Sequence, residues 1–120
     1  MKPKRILVVD DHRDSADMLC ELLMIRNPDL SVQAAYDGLS GLEQALSGHF
    51  DVVILDLMLP RMSGIQVARE IRAKLGGKAP VLVALSGSVA EVAQHQGGPD
   101  FSHALTKPLN VERLMGIFLP

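Results

Sequence analysis

Cysteine is nearly absent. Cys20 stands alone among 120 residues, so no internal disulfide can form. A reducing cytosol suits such a chain best. Neither sign of charge is in excess: 12 Lys and Arg face 14 Asp and Glu, a formal net charge of −2. A nucleic-acid footprint would need a basic patch or a high pI, so nucleic acid is not an expected partner. Long hydrophobic runs are missing too. The opening "MKPKRILVVDD" has early basic residues but only a very short apolar run, which makes it neither a signal peptide nor a membrane span. No membrane partner is expected. There is no repeat, low-complexity tract or linker. The Gly-rich "GLSGLEQAL" lacks the Lys-Ser/Thr pair of a phosphate-binding loop. Apolar residues, by contrast, are plentiful: at 48% of the chain they argue against disorder. They supply the core of one domain spanning 1–120.

Those apolar residues come in two rhythms. "RILVVD" (5–10), "SVQAAY" (31–36), "DVVILD" (51–56), "PVLVALS" (80–86) and "SHALTK" (102–107) are short runs bounded by turn signals, as buried strands are. Between them lie helical spacings. Met18, Leu19, Leu22 and Leu23 recur within 14–26, where Asp14 or Ser15 could cap the helix. A second helix is expected from about Gly38. A third places Ile65, Ala68, Ile71 and Leu75 on one face, with Ser63 placed to cap it and Gly76-Gly77 ending it. "SVAEVAQHQGG" reads as a short, weak helix, and Val111, Leu114, Met115 and Phe118 form a last stripe. Five strands in strict alternation with five helices predict an α/β fold: a doubly wound parallel sheet covered on both faces. Of the two orders open to five strands, the flavodoxin-like 2-1-3-4-5 is favoured.

Ligands of such sheets bind at the carboxyl ends of the strands, near the switch point. Asp10 and Asp11 close the first strand, Asp56 the third, Ser86 the fourth and Lys107 the fifth. Each has an ordinary alternative: a solvated loop acid or helix cap, a turn serine, a surface lysine. Together they place three acids, a hydroxyl and a cation around one point. Clustered carboxylates repel one another unless a cation is present. Mg²⁺ favours one or two carboxylates, waters and a phosphate oxygen. A carboxylate can also attack phosphorus to give an acyl phosphate. Asp56, at the centre, is the carboxylate placed to do so, with Lys107 and Ser86 placed to neutralise the equatorial oxygens.

On "VVDDH", "DLMLPRMSG", "ALSGS" and "LTKPL", in that order, the sequence resembles the receiver domain of two-component response regulators across essentially its whole length. The resemblance implies that Asp56 is the phosphoacceptor. It implies Mg²⁺ held by Asp11 directly, by Asp10 through water, by Asp56 and by the Met58 backbone carbonyl. Ser86 matches the hydroxyl switch position, and Pro60 and Gly64 match the loop after the acceptor. Lys107 matches the family lysine, with a cis bond to Pro108. The phosphodonor would be a phosphohistidine on a histidine kinase or phosphotransfer protein. A homodimer or effector would meet the face made by the fourth helix, fifth strand and fifth helix. One departure stands out: the aromatic that receivers often carry three positions before the lysine is here Ala104, beside His103. Readout would then pass through the fourth helix and its loops, with "VAQHQGGPD" as the mobile element.

Other residues carry weaker signals. Met58 is either a loop side chain lying over the site or an apolar group that cannot orient an attacking water. His12 is expected to be an exposed loop residue, since Mg²⁺ prefers oxygen. His49, His95 and His103 lack ligand spacing, Cys20 reads as core, and Arg69 and Arg72 as a solvated face. The reading is a cytoplasmic signalling switch that catalyses its own modification and is not a turnover enzyme. Two alternatives are a degenerate receiver serving only as a docking module, and a small phosphohydrolase using Asp56. The latter would need a second acid where Met58 stands. The last helical stripe runs out at "FLP", so no effector domain is expected within these 120 residues. "LTKPLNVERLM" resembles receivers attached to kinases, and a stand-alone regulator would look the same.

Overall fold

A computed structural model describes residues 4–118. Five parallel strands, β1 (Arg5–Val9), β2 (Ser31–Ala35), β3 (Val52–Asp56), β4 (Val81–Ser86) and β5 (His103–Thr106), lie in the order β2-β1-β3-β4-β5. The expected sheet is therefore the observed one. Asp10 and Lys107 each fall one residue beyond their strand. β3 is central and all five of its residues are buried, which is why it reads as an unbroken apolar run.

Alternation along the strands divides the core in two. Ile6, Val8, Ile54 and Val83 point to the face covered by α1 (Arg13–Arg26) and α5 (Val111–Phe118). Leu7, Val9, Val53 and Leu55 point to the face covered by α2 (Gly38–Ser47), α3 (Gly64–Leu75) and α4 (Val89–His95). The direction of travel reverses after β2, and right-handed crossovers then put the helices on opposite faces. Among the described residues, no helix is long and apolar enough to cross a membrane.

The helix caps follow their sequences closely, with one correction. Asp37 caps α2, and Ser63 caps α3 in a closed capping box with Gln66. For α1, Asp14 or Ser15 was the expected cap, but the cap is His12, whose Nδ1 accepts from the Ser15 N–H at 3.3 Å and pairs with Ser15 Oγ at 2.7 Å. An imidazole nitrogen does here what a carboxylate or hydroxyl usually does.

The stripe on α1 also needs correcting. Its buried residues are Ala16, Leu19, Cys20 and Leu23, whereas Met18 is 61% exposed and Leu22 38%. Small residues, Ala16 and Cys20, let the helix sit close to the sheet, and this turns Met18 and Leu22 outward. The pair lines a groove shared with Pro108, Leu109 and Val111. Burial pushes the Cys20 thiol up to about 11, as befits a core residue. On α3, Val67 joins Ala68 and Ile71 in the core, and Ile65 and Leu75 pack at its margin. On α5, Leu114 is fully buried with Val111 and Met115 beside it; the side chain of Phe118 lies outside the described residues. An Arg26–Glu112 ion pair links α5 to α1.

Arg69 and Arg72 do not form a free solvated face. The Arg69 guanidinium pairs with Asp100 at 3.2 Å, and Arg72 Nε donates to the Asp100 carbonyl at 2.8 Å. Together they fasten the α4–β5 segment to α3. Phe101 is buried in the same segment, against His95.

Candidate functional site

The carboxyl ends of β1 and β3 lie side by side at the switch point, and the acids meet there. Asp10 and Asp56 are buried, 5% and 6% exposed, and Asp11 is exposed. One carboxylate oxygen from each lies within 4.8 Å of the other two. Asp10 is held by its loop: its N–H donates to the Ala35 carbonyl at 3.1 Å, and its Oδ1 accepts from the His12 N–H at 2.9 Å. Asp56 is fixed in the same way, Oδ1 accepting from the Met58 N–H at 2.9 Å.

Lys107 reaches into this cluster from the end of β5. Its Nζ donates to Asp56 Oδ2 at 2.5 Å and lies 3.6 Å from Asp10 Oδ2. Its bond to Pro108 is cis. Burial raises the Asp10 carboxyl above the ordinary carboxylate range. The His12 amide and the Lys107 ammonium oppose that rise, and Asp56 and Asp11 add to it. Burial would pull the Lys107 ammonium down, but its hydrogen bond and charge attraction to Asp56, and then to Asp10, leave it raised.

Three carboxylates thus meet beside one ammonium, which contacts Asp56 and Asp10. The donor set is all oxygen, two members are buried, and the charge is not balanced by protein alone. Such a cluster suits a hard divalent cation. His12 is not among the three side chains that come together, and its Nδ1 is taken up by Ser15. The open cleft above the acids is also lined by Met58, whose side chain is 74% exposed, and by Gly87.

Ser86, the expected switch hydroxyl, is engaged away from the acids in this structure. It lies at the end of β4 but is buried, and the cleft wall is made by its neighbour Gly87. Its hydroxyl donates to Glu91 Oε1 in the first turn of α4 at 2.6 Å and accepts from the Ser88 N–H at 3.0 Å. Sequence reasoning did not single out Glu91. A signal existed in Ser88-x-x-Glu91, the spacing of a capping box, but that spacing does not reveal that Glu91 would reach past Ser88 to Ser86.

A second unforeseen contact lies just past α4. The Gln96 side-chain amide donates to the Ala104 carbonyl and accepts from the Ala104 N–H, both at 3.1 Å. Ala104 is buried beneath it. The segment expected to be mobile is therefore tied to β5 by Gln96 and to α3 by the two arginines.

Fold and site together describe a flavodoxin-like α/β protein with an acid cluster and a lysine at its switch point. Residues 6–118 match the response regulator receiver domain family, and the chain belongs to that family. It is 34% identical over 111 residues to the response regulator ArlR of Staphylococcus aureus, covering 92% of this chain and 49% of that protein. The chain spans about half the length of the curated relatives it matches. Among solved structures it resembles the response regulator TrrA of Thermotoga maritima, which was solved in complex with Mg²⁺-BeF. That pair has a TM-score of 0.82 and 31% identity, with 95% of each chain covered. The chemotaxis protein CheY4 of Vibrio cholerae also gives a TM-score of 0.82, at 27% identity over 96% of this chain and 95% of that one.

Proposed function

We propose that this domain is a phosphoacceptor switch in which Asp56 takes a phosphoryl group from a phosphohistidine. The donor would belong to a histidine kinase or a histidine phosphotransfer protein. The observation that carries this reading is the meeting of Asp10, Asp11, Asp56 and Lys107 at the carboxyl ends of three strands. A carboxylate oxygen of Asp56 attacks phosphorus as the bond from phosphorus to the imidazole nitrogen breaks, and the imidazole leaves. Lys107, already on Asp56, is positioned to meet a phosphoryl oxygen. Strand burial keeps the nucleophile from wandering, which is worth more than any single contact in a transfer that depends on alignment. Asp10, Asp11, Asp56 and the Met58 carbonyl would hold Mg²⁺, which supplies positive charge against the phosphoryl oxygens. The TrrA complex with Mg²⁺-BeF supports that assignment. The output face would be α4, β5 and α5, toward an effector or a second copy.

Intact mass after incubation with Mg²⁺ and acetyl phosphate tests the proposal. A phosphate-sized adduct is expected on the parent chain. It should be missing from Asp56→Asn and from samples treated with chelator. An adduct that survives in Asp56→Asn would refute the assignment. No adduct together with no Mg²⁺ binding would favour a docking module.

Met58 has its own expected outcome. Its exposed side chain over the cleft offers no hydrogen bond to an incoming water. Met58→Asn should therefore shorten the phosphoryl lifetime by roughly tenfold, less than the roughly hundredfold at which positioned acid–base groups begin, because an amide orients a water without taking its proton. An unchanged decay rate of the adduct would exclude that role.

A further inference from the structure

We propose that Glu91 is a positioning residue that holds the Ser86 hydroxyl in reserve and competes with the phosphoryl group for it. This rests on the reading of Asp56 as phosphoacceptor and of Ser86 as the hydroxyl that meets the phosphoryl group. A serine hydroxyl has one proton to donate. In this structure Ser86 donates it to Glu91 Oε1 at 2.6 Å, a short bond to a carboxylate of the stronger, charge-assisted kind. A phosphoryl oxygen on Asp56 can receive that proton only if Glu91 gives it up.

The helix cap shows what Glu91 would do next. At α3 the capping box is closed: Gln66 accepts from the Ser63 N–H at 3.0 Å, and Ser63 Oγ accepts from the Gln66 N–H at 3.2 Å. At α4 only half of the same arrangement exists. Ser88 Oγ accepts from the Glu91 N–H at 3.2 Å, but the Ser88 N–H points to Ser86 Oγ instead of to Glu91. Ser86 is thus inserted into a capping box that Ser88 and Glu91 could close on their own. Moving Ser86 toward the phosphoryl group frees both the Ser88 N–H and the Glu91 carboxylate, and these two groups are complementary. Each end of the exchange leaves its polar groups paired, which is the condition for two discrete states.

This device suits a chain with Ala104 at the aromatic position. The event at Ser86 passes directly into the first turn of α4 and needs no ring to relay it. α4 is fastened again just past its far end, where Gln96 grips Ala104. A change at Glu91 therefore acts on a helix held at both ends.

The test uses the whole chain with Mg²⁺ and beryllofluoride, a phosphoryl mimic, followed by amide NMR. Glu91→Ala should tighten apparent beryllofluoride affinity by about three- to tenfold, the scale of one partly exposed charge-assisted hydrogen bond. Glu91→Gln keeps an acceptor without the charge and should fall between parent and Glu91→Ala. In a Ser86→Ala background, Glu91→Ala should change affinity by less than about twofold, because the competition is gone. A gain that persists in that background would reveal simple charge repulsion and overturn the proposal, as would no gain in the parent background. In the parent, the Ser88 amide resonance should move on beryllofluoride addition; a static Ser88 amide in a saturated sample also counts against the exchange. A parent that takes up neither beryllofluoride nor acetyl phosphate would overturn the phosphoacceptor reading itself. Uptake without any effect at Glu91 would overturn the competition alone.

Discussion

Lys107→Met should fold and yet take up phosphate from acetyl phosphate at least about a hundredfold more slowly than the parent, the usual cost of losing one preorganised charge from a transfer site. Methionine keeps the apolar stem and deletes only the ammonium. That ammonium contacts Asp56 and lies near Asp10, both of them buried. Stripping the cation from a fully buried pair costs about 3–5 kcal/mol. The Lys107 side chain is 36% exposed, so water takes over part of its work. A loss of about 1–2 kcal/mol is the sensible expectation after that discount. Denaturant unfolding checks the stability, and time-resolved intact mass checks the rate. Mg²⁺ should recover more stability in Lys107→Met than in the parent, because it meets a three-carboxylate cluster in which Asp56 and Asp10 have lost their lysine. Equal Mg²⁺ effects in the two chains would mean that the cation binds elsewhere.

Gly64→Ala should be the most damaging single-methyl change near the site. A Cβ built at Gly64 would lie 2.4 Å from the Asp56 carbonyl oxygen and 3.0 Å from the Leu57 Cα. Both are backbone atoms, so no side chain can swing aside. Overpacking typically costs about 1–3 kcal/mol, and the upper end applies when the obstacle is backbone. The midpoint of thermal unfolding should fall by on the order of 10 °C. The obstacle is also the peptide unit of the proposed nucleophile. Relief by movement of β3 would shift Asp56 against Lys107 and Asp10, so phosphate uptake should fall further than stability explains. Gly116→Ala is the control: nothing lies within 4 Å of a Cβ at Gly116, within α5. A helix interior gains about 0.5–1 kcal/mol from such a change. If Gly64→Ala behaves like Gly116→Ala, the close packing of α3 against the end of β3 is wrong.

The features that sequence reasoning reached are those governed by period and by strand ends. β-branched runs named the strands, their alternation named the fold, and the acids and lysine fell where a parallel sheet collects its ligands. Ser63 was legible as a cap because a capping box is a local pattern. The features that escaped depend on distances between elements. Whether Met18 or Ala16 faces inward is decided by how closely α1 approaches the sheet, and spacing alone does not state that distance. Arg69 and Arg72 looked solvated because Asp100, their partner, is 28 or more residues away. Glu91 was not singled out: its spacing to Ser88 is that of an ordinary cap, and nothing local says that a second hydroxyl, that of Ser86, stands in between.

The Gln96 amide has a consequence for how this domain can assemble. β5 is an edge strand, paired on one side only. The N–H and C=O of Ala104 are bonded to a side chain of the same molecule. Edges of this kind otherwise recruit foreign strands, and proteins cover them with bulges, charges or prolines. Here a glutamine plays the part of a one-residue sixth strand. An extended peptide cannot zip onto β5 at that register without first evicting it. Partners meeting this flank must therefore recognise side chains, and any motion that lifts the end of α4 would open the sheet to strand addition at the same moment.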